Sequence, residues 1–238
     1  MLSRPFMADS SETRSGGGCL RRLLSLILLA GAVGLGMAMV FITRSQDLTD
    51  IGGYDQTQTA AAGPDMKVVL QNSVIRGYPV TLTETQINRW LGRTLVAKQS
   101  GLLAQLVSLD RVWVRLEDGY AEVIIERHIM KQPFTVSMFF KVQKKQGPKG
   151  LRTEVHLHGG PYHPYLPQPL KGGRFGQLVV PQGFLLLVLP SYKQLATLFD
   201  EEIHLGFEEM ARIKIEKHRL ILNPLEPSND PTGLPPAF

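Results

Sequence analysis

The chain has 238 residues, a formal net charge of +5 at pH 7 and one cysteine, Cys19. Residues 1 to 44, with five arginines and two acidic residues, contribute +3 of this charge, and the remainder, with 21 basic and 19 acidic side chains, contributes +2. This balance is not the signature of a nucleic-acid-binding domain, and a single cysteine excludes an internal disulfide bond. A chain of this length can bury a core without one.

Residues 23 to 42 form an apolar stretch with no charge and one hydroxyl group, that of Ser25. A helix of this length and composition fits a bilayer core of about 30 Å, so we expect a transmembrane helix. The alternative is a cleaved signal peptide. Its apolar region would be shorter, and the best small-x-small site, Gly36 and Ala38, lies inside the stretch, so we favour an uncleaved anchor.

The charges on either side of this stretch predict its orientation. Between Arg44 and Lys67 there is no basic residue, whereas the short segment before the stretch is rich in arginine. The positive-inside rule therefore predicts a cytoplasmic N-terminus and an exported remainder. The arginines before the stretch are Arg4, Arg14, Arg21 and Arg22.

Composition divides the chain into five parts. Residues 1 to 22 are predicted to be a cytoplasmic tail and residues 23 to 42 the transmembrane helix. Small polar residues dominate positions 43 to 65, which predicts a linker. The folded domain is expected over residues 66 to 222, and a flexible proline-rich tail over residues 223 to 238.

The domain begins with apolar residues whose spacing suits one or two strands, at residues 68 to 74 and 80 to 82. Thr83 and Gln86 then form a capping box, which predicts the start of a helix. This helix is amphipathic. Its predicted apolar face consists of Ile87, Trp90, Leu91, Thr94 and Leu95.

From residue 109 the apolar period changes to two, which predicts strands. Residues 112 to 116 and 121 to 125 alternate around Asp118-Gly119, a β-hairpin signature. Two further alternating segments, at residues 134 to 142 and 151 to 157, follow after short connections. We therefore expect a four-stranded antiparallel meander with one polar face.

After a proline-rich loop at residues 159 to 176, apolar runs resume. The run over residues 184 to 189 is almost unbroken, so we expect it to be buried on both faces or to line a cavity. Ser191 and Gln194 predict a second capping box, which opens an amphipathic helix that continues to Met210. A last strand is predicted over residues 213 to 222. The expected fold is α+β, with an N-terminal transmembrane helix and a curved antiparallel meander packed on two amphipathic helices.

The order of these elements resembles that of several small bacterial envelope families. The resemblance covers residues 66 to 222 and includes LTETQIN at residues 82 to 88, GQLVVP at residues 176 to 181 and LIL at residues 220 to 222. The families are the YpmS-like, YceB-like and LmeA-like proteins, which are related in shape to tubular lipid-binding domains. The resemblance implies a curved sheet around a long helix and an apolar groove for a lipid or a partner helix. It transfers no catalytic residue.

Apolar side chains are more abundant than a half-covered sheet requires, so we predict a groove for a lipid or a partner helix. The alternative is that these side chains fill the core. The candidate groove residues are Trp90, Phe139, Phe184, Leu186 and Val188.

A basic turn between the third and fourth predicted strands is a candidate contact for an anionic surface. The alternative is that it keeps the protein soluble and guards the edge of the sheet. Its residues are Lys141, Lys144, Lys145, Lys149 and Arg152.

No catalytic or metal constellation is evident. His156 and His158 share one strand face, with His163 nearby and His128 elsewhere, but a metal site needs three or four convergent ligands. Ser191 lacks the flanking glycines of a nucleophile elbow. We therefore expect no metal, no cofactor and no enzyme activity.

The sequence thus predicts a single-pass protein of the bacterial inner membrane, with its domain in the periplasm or outside. We expect this domain to bind a lipid or another envelope component, as a carrier, a sensor or a scaffold. One alternative is a structural subunit of a secretion or division complex. A further alternative, an envelope hydrolase, requires the four histidines to converge. The sequence specifies neither the ligand nor the oligomeric state.

Overall fold

The computed structural model describes residues 17–54, 64–99, 111–129, 132–147, 150–157 and 171–225. The predicted features outside these residues are most of the cytoplasmic tail, the second part of the linker, most of the proline-rich loop, Lys149 and most of the C-terminal tail. The chain divides into two compact units, Met1–Val40 and Phe41–Phe238. Helix α1, Gly17–Thr43, begins in the first unit and ends in the second. Among the described residues it is the one helix, over Leu20–Thr43, that is long and apolar enough to cross a membrane.

The second unit is α+β. Its helices are α2 (Met66–Arg76), α3 (Glu84–Gln99), α4 (Leu189–Leu198) and α5 (Asp200–Ile203), with a 3-10 turn at Gln182–Leu187 and a π-helical turn at His204–Glu208. Its strands are β1 (Val80–Thr83), β2 (Arg111–Glu117), β3 (Tyr120–Ile129), β4 (Gln132–Gly147), β5 (Gly150–Leu157), β6 (Lys171–Phe175), β7 (Leu178–Pro181), β8 (Arg212–Glu216) and β9 (Arg219–Asn223).

The strands form two antiparallel sheets. The larger has the order β2-β3-β4-β6-β7, and β5 pairs with the second half of β4; the smaller has the order β1-β9-β8. The predicted meander is confirmed as β2 to β5, with Gly119 at a positive φ of 83° in the predicted Asp-Gly turn. The expectation of a single sheet on two helices is matched only in part, because the smaller sheet and further helices complete the unit.

One face of the larger sheet packs against α3 and α4 and forms the main apolar core. We call it the core face. Trp90 of α3 stacks at 5.3 Å on Phe199, just after α4, and Leu95 of α3 is only 2% exposed. Residues contributed by the sheet include Val112, Ile125, Val136 and Met138. Fully buried apolar side chains of this kind supply most of the stability of a domain.

The capping box at the start of α3 is confirmed. The Thr83 backbone N–H donates to Gln86 Oε1 at 2.9 Å, and the Gln86 N–H donates to Thr83 Oγ1 at 3.3 Å. These two bonds satisfy donors that a helix N-terminus otherwise leaves without partners.

The strand predicted over residues 68 to 74 is wrong, because this segment is helix α2. Asp65 caps the helix by accepting from the Lys67 N–H, and Gly77 ends it at a left-handed φ of 67°. The buried residues Met66, Leu70 and Ser73 follow the helical spacing of three and four.

The run over residues 184 to 189 is not buried on both faces as predicted. It lies in the 3-10 turn and the start of α4, where Leu185 is 1% exposed but Phe184, Leu186 and Leu187 are 56%, 70% and 75% exposed. Leu185 is buried in the core next to Gly173, where a β-carbon would collide with it, and Val188 and Leu189 pack against the core while partly exposed.

The predicted cap at Ser191 is also wrong. Helix α4 starts at Leu189 because Pro190 suits the first helical turn, so Ser191 lies inside the helix. Its hydroxyl accepts a hydrogen bond from Arg127 at 2.9 Å. The predicted continuous helix to Met210 is divided into α4, α5 and the π-helical turn, and the predicted last strand is the β8–β9 hairpin.

Candidate functional site

A short segment covers the second face of the larger sheet, which was predicted to be polar. We call residues 45 to 54 the strap and this face the strap face. Gln46, Leu48 and Ile51 are 6%, 5% and 3% exposed, so this part of the predicted linker packs as part of the fold. The linker prediction therefore differs from the structure at residues 46 to 51.

The strap forms a small apolar cluster of its own with the sheet. Leu48 and Ile51 pack against Trp113 of β2 and Ile124 of β3, with Tyr54 at their margin. The rings of Tyr54 and Trp113 lie 5.2 Å apart. The Trp113 indole N–H donates to Glu126 Oε2 at 3.3 Å, which satisfies the polar atom of a buried tryptophan.

Beside this cluster lies a buried ionic network centred on Arg115. Its guanidinium donates to Glu122 Oε2 at 2.8 Å, to Asp50 Oδ1 at 2.8 Å and to the Asp47 carbonyl at 3.0 Å. Burial acts to lower the pKa of Arg115, but the charges of Glu122 and Asp50 prevail and raise it. Arg115 therefore ties two acidic strap residues to an acidic residue of the sheet.

Polar side chains of β4 complete the network. The Ser137 hydroxyl donates to Glu122 Oε1 at 2.6 Å and accepts from the Gln46 side-chain amide at 3.2 Å. The Gln46 backbone N–H donates to Thr135 Oγ1 at 3.0 Å. Within the described residues, three buried polar atoms lack a hydrogen-bond partner: Gln46 Oε1, Arg115 Nε and Arg174 Nε. Nearly all of the polar groups in this network bond the strap to the sheet, so we assign the network a structural role.

Two residues of the LTETQIN segment fasten the other end of the strap. Buried Glu84 accepts from the backbone N–H groups of Gly52 at 2.6 Å and of Leu116 at 2.7 Å. The Asn88 side chain bonds the Gly52 carbonyl and both backbone groups of Val114 at 2.7 to 2.9 Å. Because β2 is an edge strand, these bonds satisfy backbone groups that lack a neighbouring strand.

The end of helix α1 is held by the turn between β6 and β7. The Gln177 backbone N–H donates to the Phe41 carbonyl at 3.0 Å, and its side chain donates to the Ser45 carbonyl at 3.3 Å. Gly176 has a φ of +55°, and a β-carbon there would collide with the carbonyl oxygens of Ile42 and Arg44. The turn thus supplies a partner to a helix C-terminus, whose last carbonyl groups lack partners within the helix.

The structure does not bring the predicted groove residues into one groove. Trp90 is buried in the main core, whereas Phe139 is on the strap face, 5.8 Å from the Tyr120 ring and 5.6 Å from the Arg174 guanidinium. Phe184 and Leu186 are exposed. Val188 lines a separate cavity of about 110 Å³.

Three of the five predicted anion-contact residues share one face. Lys145 and Arg152 are directly opposite each other on β4 and β5, and Lys141 lies further along the same face. We call these three residues the basic face. Lys144 points to the other side and donates to the Glu208 carbonyl, and burial lowers its pKa. Lys149 lies outside the described residues.

A cleft of about 840 Å³ adjoins the basic face at Lys141. Four of its lining side chains are basic and two are acidic, and the acidic Glu216 bonds Lys214 and Arg219 at 2.6 Å each. These two bonds lower the pKa of Glu216. The charged lining residues are Asp118, Lys141, Lys214, Glu216, Lys217 and Arg219.

Of the four candidate histidines, the structure describes His128 and His156, and these two do not converge. His128 pairs with Pro133 and His156 with Lys141, which separates them by about 27 Å along β4 at the usual rise of a strand. His158 and His163 lie outside the described residues. Across the described residues, no group of three or more His, Cys, Asp and Glu is arranged to hold a metal ion.

No family model matches the sequence, and no curated protein matches it. The functional proposal therefore depends on the apolar helix and on the surfaces of the second unit.

Proposed function

We propose that this chain is a single-pass protein of the bacterial inner membrane, with a cytoplasmic N-terminus and an exported, non-enzymatic binding domain. The observation that carries the proposal is the apolar helix Leu20–Thr43, whose 24 residues are long enough to cross a bilayer and exceed the apolar region of a signal peptide. From Phe41 onward the chain is part of the folded unit, because the β6–β7 turn bonds Phe41 and the sheet binds the strap. These contacts would survive cleavage at Gly36 and Ala38, so the length of the apolar helix is what favours an uncleaved anchor.

We further propose that the domain binds an anionic envelope component on its basic face and in the adjoining cleft. Like charges directly opposite on neighbouring strands destabilise a sheet, yet Lys145 and Arg152 occupy such a pair. Glu154, bonded to Lys145 at 2.6 Å, is a single partial counter-charge. An anionic ligand would relieve the remaining repulsion.

A phosphate-bearing group is the ligand chemistry that we favour, because lysine and arginine both bind phosphate well. Its source is either a lipid headgroup or an envelope polymer. Lys141 is six positions beyond Thr135, where the strap begins, which corresponds to about 20 Å along β4. This distance favours a component that extends away from the membrane, for which the domain would act as a carrier, a sensor or a scaffold.

Membrane fractionation of cells that express the full chain tests the anchor. We expect the intact chain to remain in the membrane after alkaline carbonate extraction, and the domain to be digested only by a protease added from the exported side. Recovery of a shortened, soluble chain would show that the apolar helix is a cleaved signal peptide.

Binding is tested with the full chain in phosphatidylcholine nanodiscs. The probes are inorganic polyphosphate and vesicles of phosphatidylcholine with phosphatidylglycerol, so that the two ligand sources are distinguished. We expect binding to weaken with salt and to be lost in a variant with Lys141→Gln, Lys145→Gln and Arg152→Gln.

The matched control removes the same charge from exposed sites elsewhere, with Arg76→Gln, Arg89→Gln and Arg212→Gln. This control should bind as the unaltered chain does. Equal loss in both variants would mean that only net charge matters, and absence of binding to either probe would contradict an anionic ligand.

A structural subunit of a larger membrane complex is the second candidate. Val68 and Ile75 are 51% and 80% exposed and, being seven residues apart, lie on one side of α2. Cross-linking in cells from cysteines at these two positions should then yield one partner protein in stoichiometric amount. Without such a partner, this candidate fails.

A further inference from the structure

Within the described part of the second unit, the 3-10 turn before α4 carries the most exposed group of adjacent apolar side chains. Phe184, Leu186 and Leu187 are each more than half exposed, although the intervening Leu185 is buried. We call these three exposed residues the apolar turn. Contiguous exposed apolar side chains in a soluble domain usually mark an interaction site.

Strand register shows where the apolar turn lies. It is followed at once by Val188, which lines a small cavity together with Phe134 and Val136 of β4. Val136 pairs with Phe175, and the next residue, Gly176, donates its N–H to the Thr135 carbonyl. The end of the apolar turn is therefore at the same end of the sheet as the β6–β7 turn.

That end of the sheet is where the chain arrives from its apolar helix. The β6–β7 turn bonds the carbonyls of Phe41 and Ser45, and Phe41 is among the last residues of the predicted membrane span. A bilayer that holds this helix must end within a few residues of Phe41. The apolar turn is thus close to the bilayer surface through contacts within one folded unit.

The chemistry around the apolar turn suits a bilayer. Arg44 follows the apolar helix and Lys193 follows the apolar turn by six residues, and both are exposed. Segments that combine exposed Phe and Leu with basic residues are typical of the membrane interface, where the apolar groups enter and the cations contact headgroups.

We propose that the apolar turn inserts into the same bilayer leaflet that receives the exported end of α1. This inference rests on the proposed membrane anchoring. It gives the domain a second contact with the bilayer, so that the domain is held in one orientation and the basic face is kept away from the lipid.

The test uses the full chain with Cys19→Ser and one new cysteine, Leu187→Cys, labelled with the fluorophore NBD in phosphatidylcholine vesicles. The matched control is Val155→Cys, an exposed apolar position of β5 whose partner Val142 is about 20 Å along β4 from Val136. We expect spin-labelled lipid to quench the label at position 187 several-fold more than the label at position 155, and aqueous iodide to do the reverse.

Equal quenching at both positions would overturn the inference, and the same measurement at Leu186→Cys guards against a local effect of one substitution. Flotation of the same vesicles separates the two proposals. A chain that floats with the vesicles but shows equal quenching disproves only the membrane contact of the apolar turn. A chain that does not float disproves the anchor itself.

Discussion

The two faces of the larger sheet are covered in opposite ways. The core face packs against whole helices through large apolar side chains. The strap face is covered by ten residues of chain, with four apolar residues in its cluster and a buried network of Arg115, Glu122 and Ser137. Burial of apolar side chains stabilises a fold but does not depend on the direction of the contacts. Buried ion pairs contribute little net stability but require their charged groups to adopt one arrangement.

This difference indicates that the core face holds the domain together and that the strap face fixes the path of residues 45 to 54 across the sheet. The chain has two tryptophans, and each reports on one face: Trp90 on the core face and Trp113 on the strap face. Variants with Trp90→Phe or Trp113→Phe therefore allow the two layers to be followed separately by fluorescence during unfolding.

Truncation of one leucine in each layer should have the largest effects. Leu95→Ala in the main core is expected to lower the free energy of unfolding by about 4 kcal/mol, and Leu48→Ala in the strap by about 2 kcal/mol, because a thin layer relaxes more easily around a cavity. Urea unfolding of the full chain in detergent micelles measures both. If Leu48→Ala were as severe as Leu95→Ala, the strap would be as much a core element as α3.

Removal of the Arg115 guanidinium should lower the free energy of unfolding almost as much as Leu95→Ala. Arg115→Met leaves Glu122 buried without its main partner, so we expect a loss of about 3 kcal/mol. The double variant with Glu122→Met should recover much of that loss, since no unpaired charge remains. The same unfolding measurement applies, and a double variant no more stable than Arg115→Met would show that the pair is not the important interaction.

Substitution at the turn that holds the helix end should be intermediate. Gly176→Ala combines a positive φ with a collision against backbone carbonyls, and we expect a loss of about 2 kcal/mol. Gly183→Ala is the control, because a β-carbon there meets nothing within 4 Å. If Gly176→Ala left the free energy of unfolding unchanged, the turn would not contribute to holding the end of helix α1.

The smallest expected effect is a pH dependence of the strap. Hydrogen bonds from Thr49 lower the pKa of Asp47 below its ordinary value of 3.8, with a smaller effect from Arg115. Such a group stabilises the fold above its unfolded-state pKa, and this stability is lost as the pH falls through the lowered folded-state value. Unfolding followed by Trp113 should show a slight loss of stability as the pH falls below about 4, which Asp47→Asn should reduce.

Features set by neighbouring residues could be predicted from the sequence. The β2–β3 hairpin, the capping box of Thr83 and Gln86 and the order of the meander strands all depend on turn chemistry or on a period of two. The side of the sheet on which Lys141, Lys145 and Arg152 lie follows from the same period. The basic face was therefore predictable, although Lys144 faces the other way.

Features that depend on contacts between residues far apart in the sequence could not be predicted. Leu48 and Ile51 are two apolar residues in a polar segment, and only the pocket formed by Trp113 and Ile124 makes them buried. Glu84 and Asn88 lie in the LTETQIN segment, but their partners, Gly52, Leu116 and Val114, are far away in sequence. The predicted groove residues lie apart for the same reason, since a period of two assigns a residue to a face without showing what covers that face.

The strap also stores chain length. Between Arg44 and Asp65 lie about twenty residues, which can reach about 70 Å when fully extended. While the strap is bound, residues 45 to 54 are held against the sheet, so this half of the segment adds nothing to the reach. A force applied to helix α1 would load the contacts at Gln46, Leu48 and Ile51 one after another, because they follow each other along the chain. The contacts of the strap would then break in small steps and lengthen the connection between helix α1 and α2, while the main core stays folded.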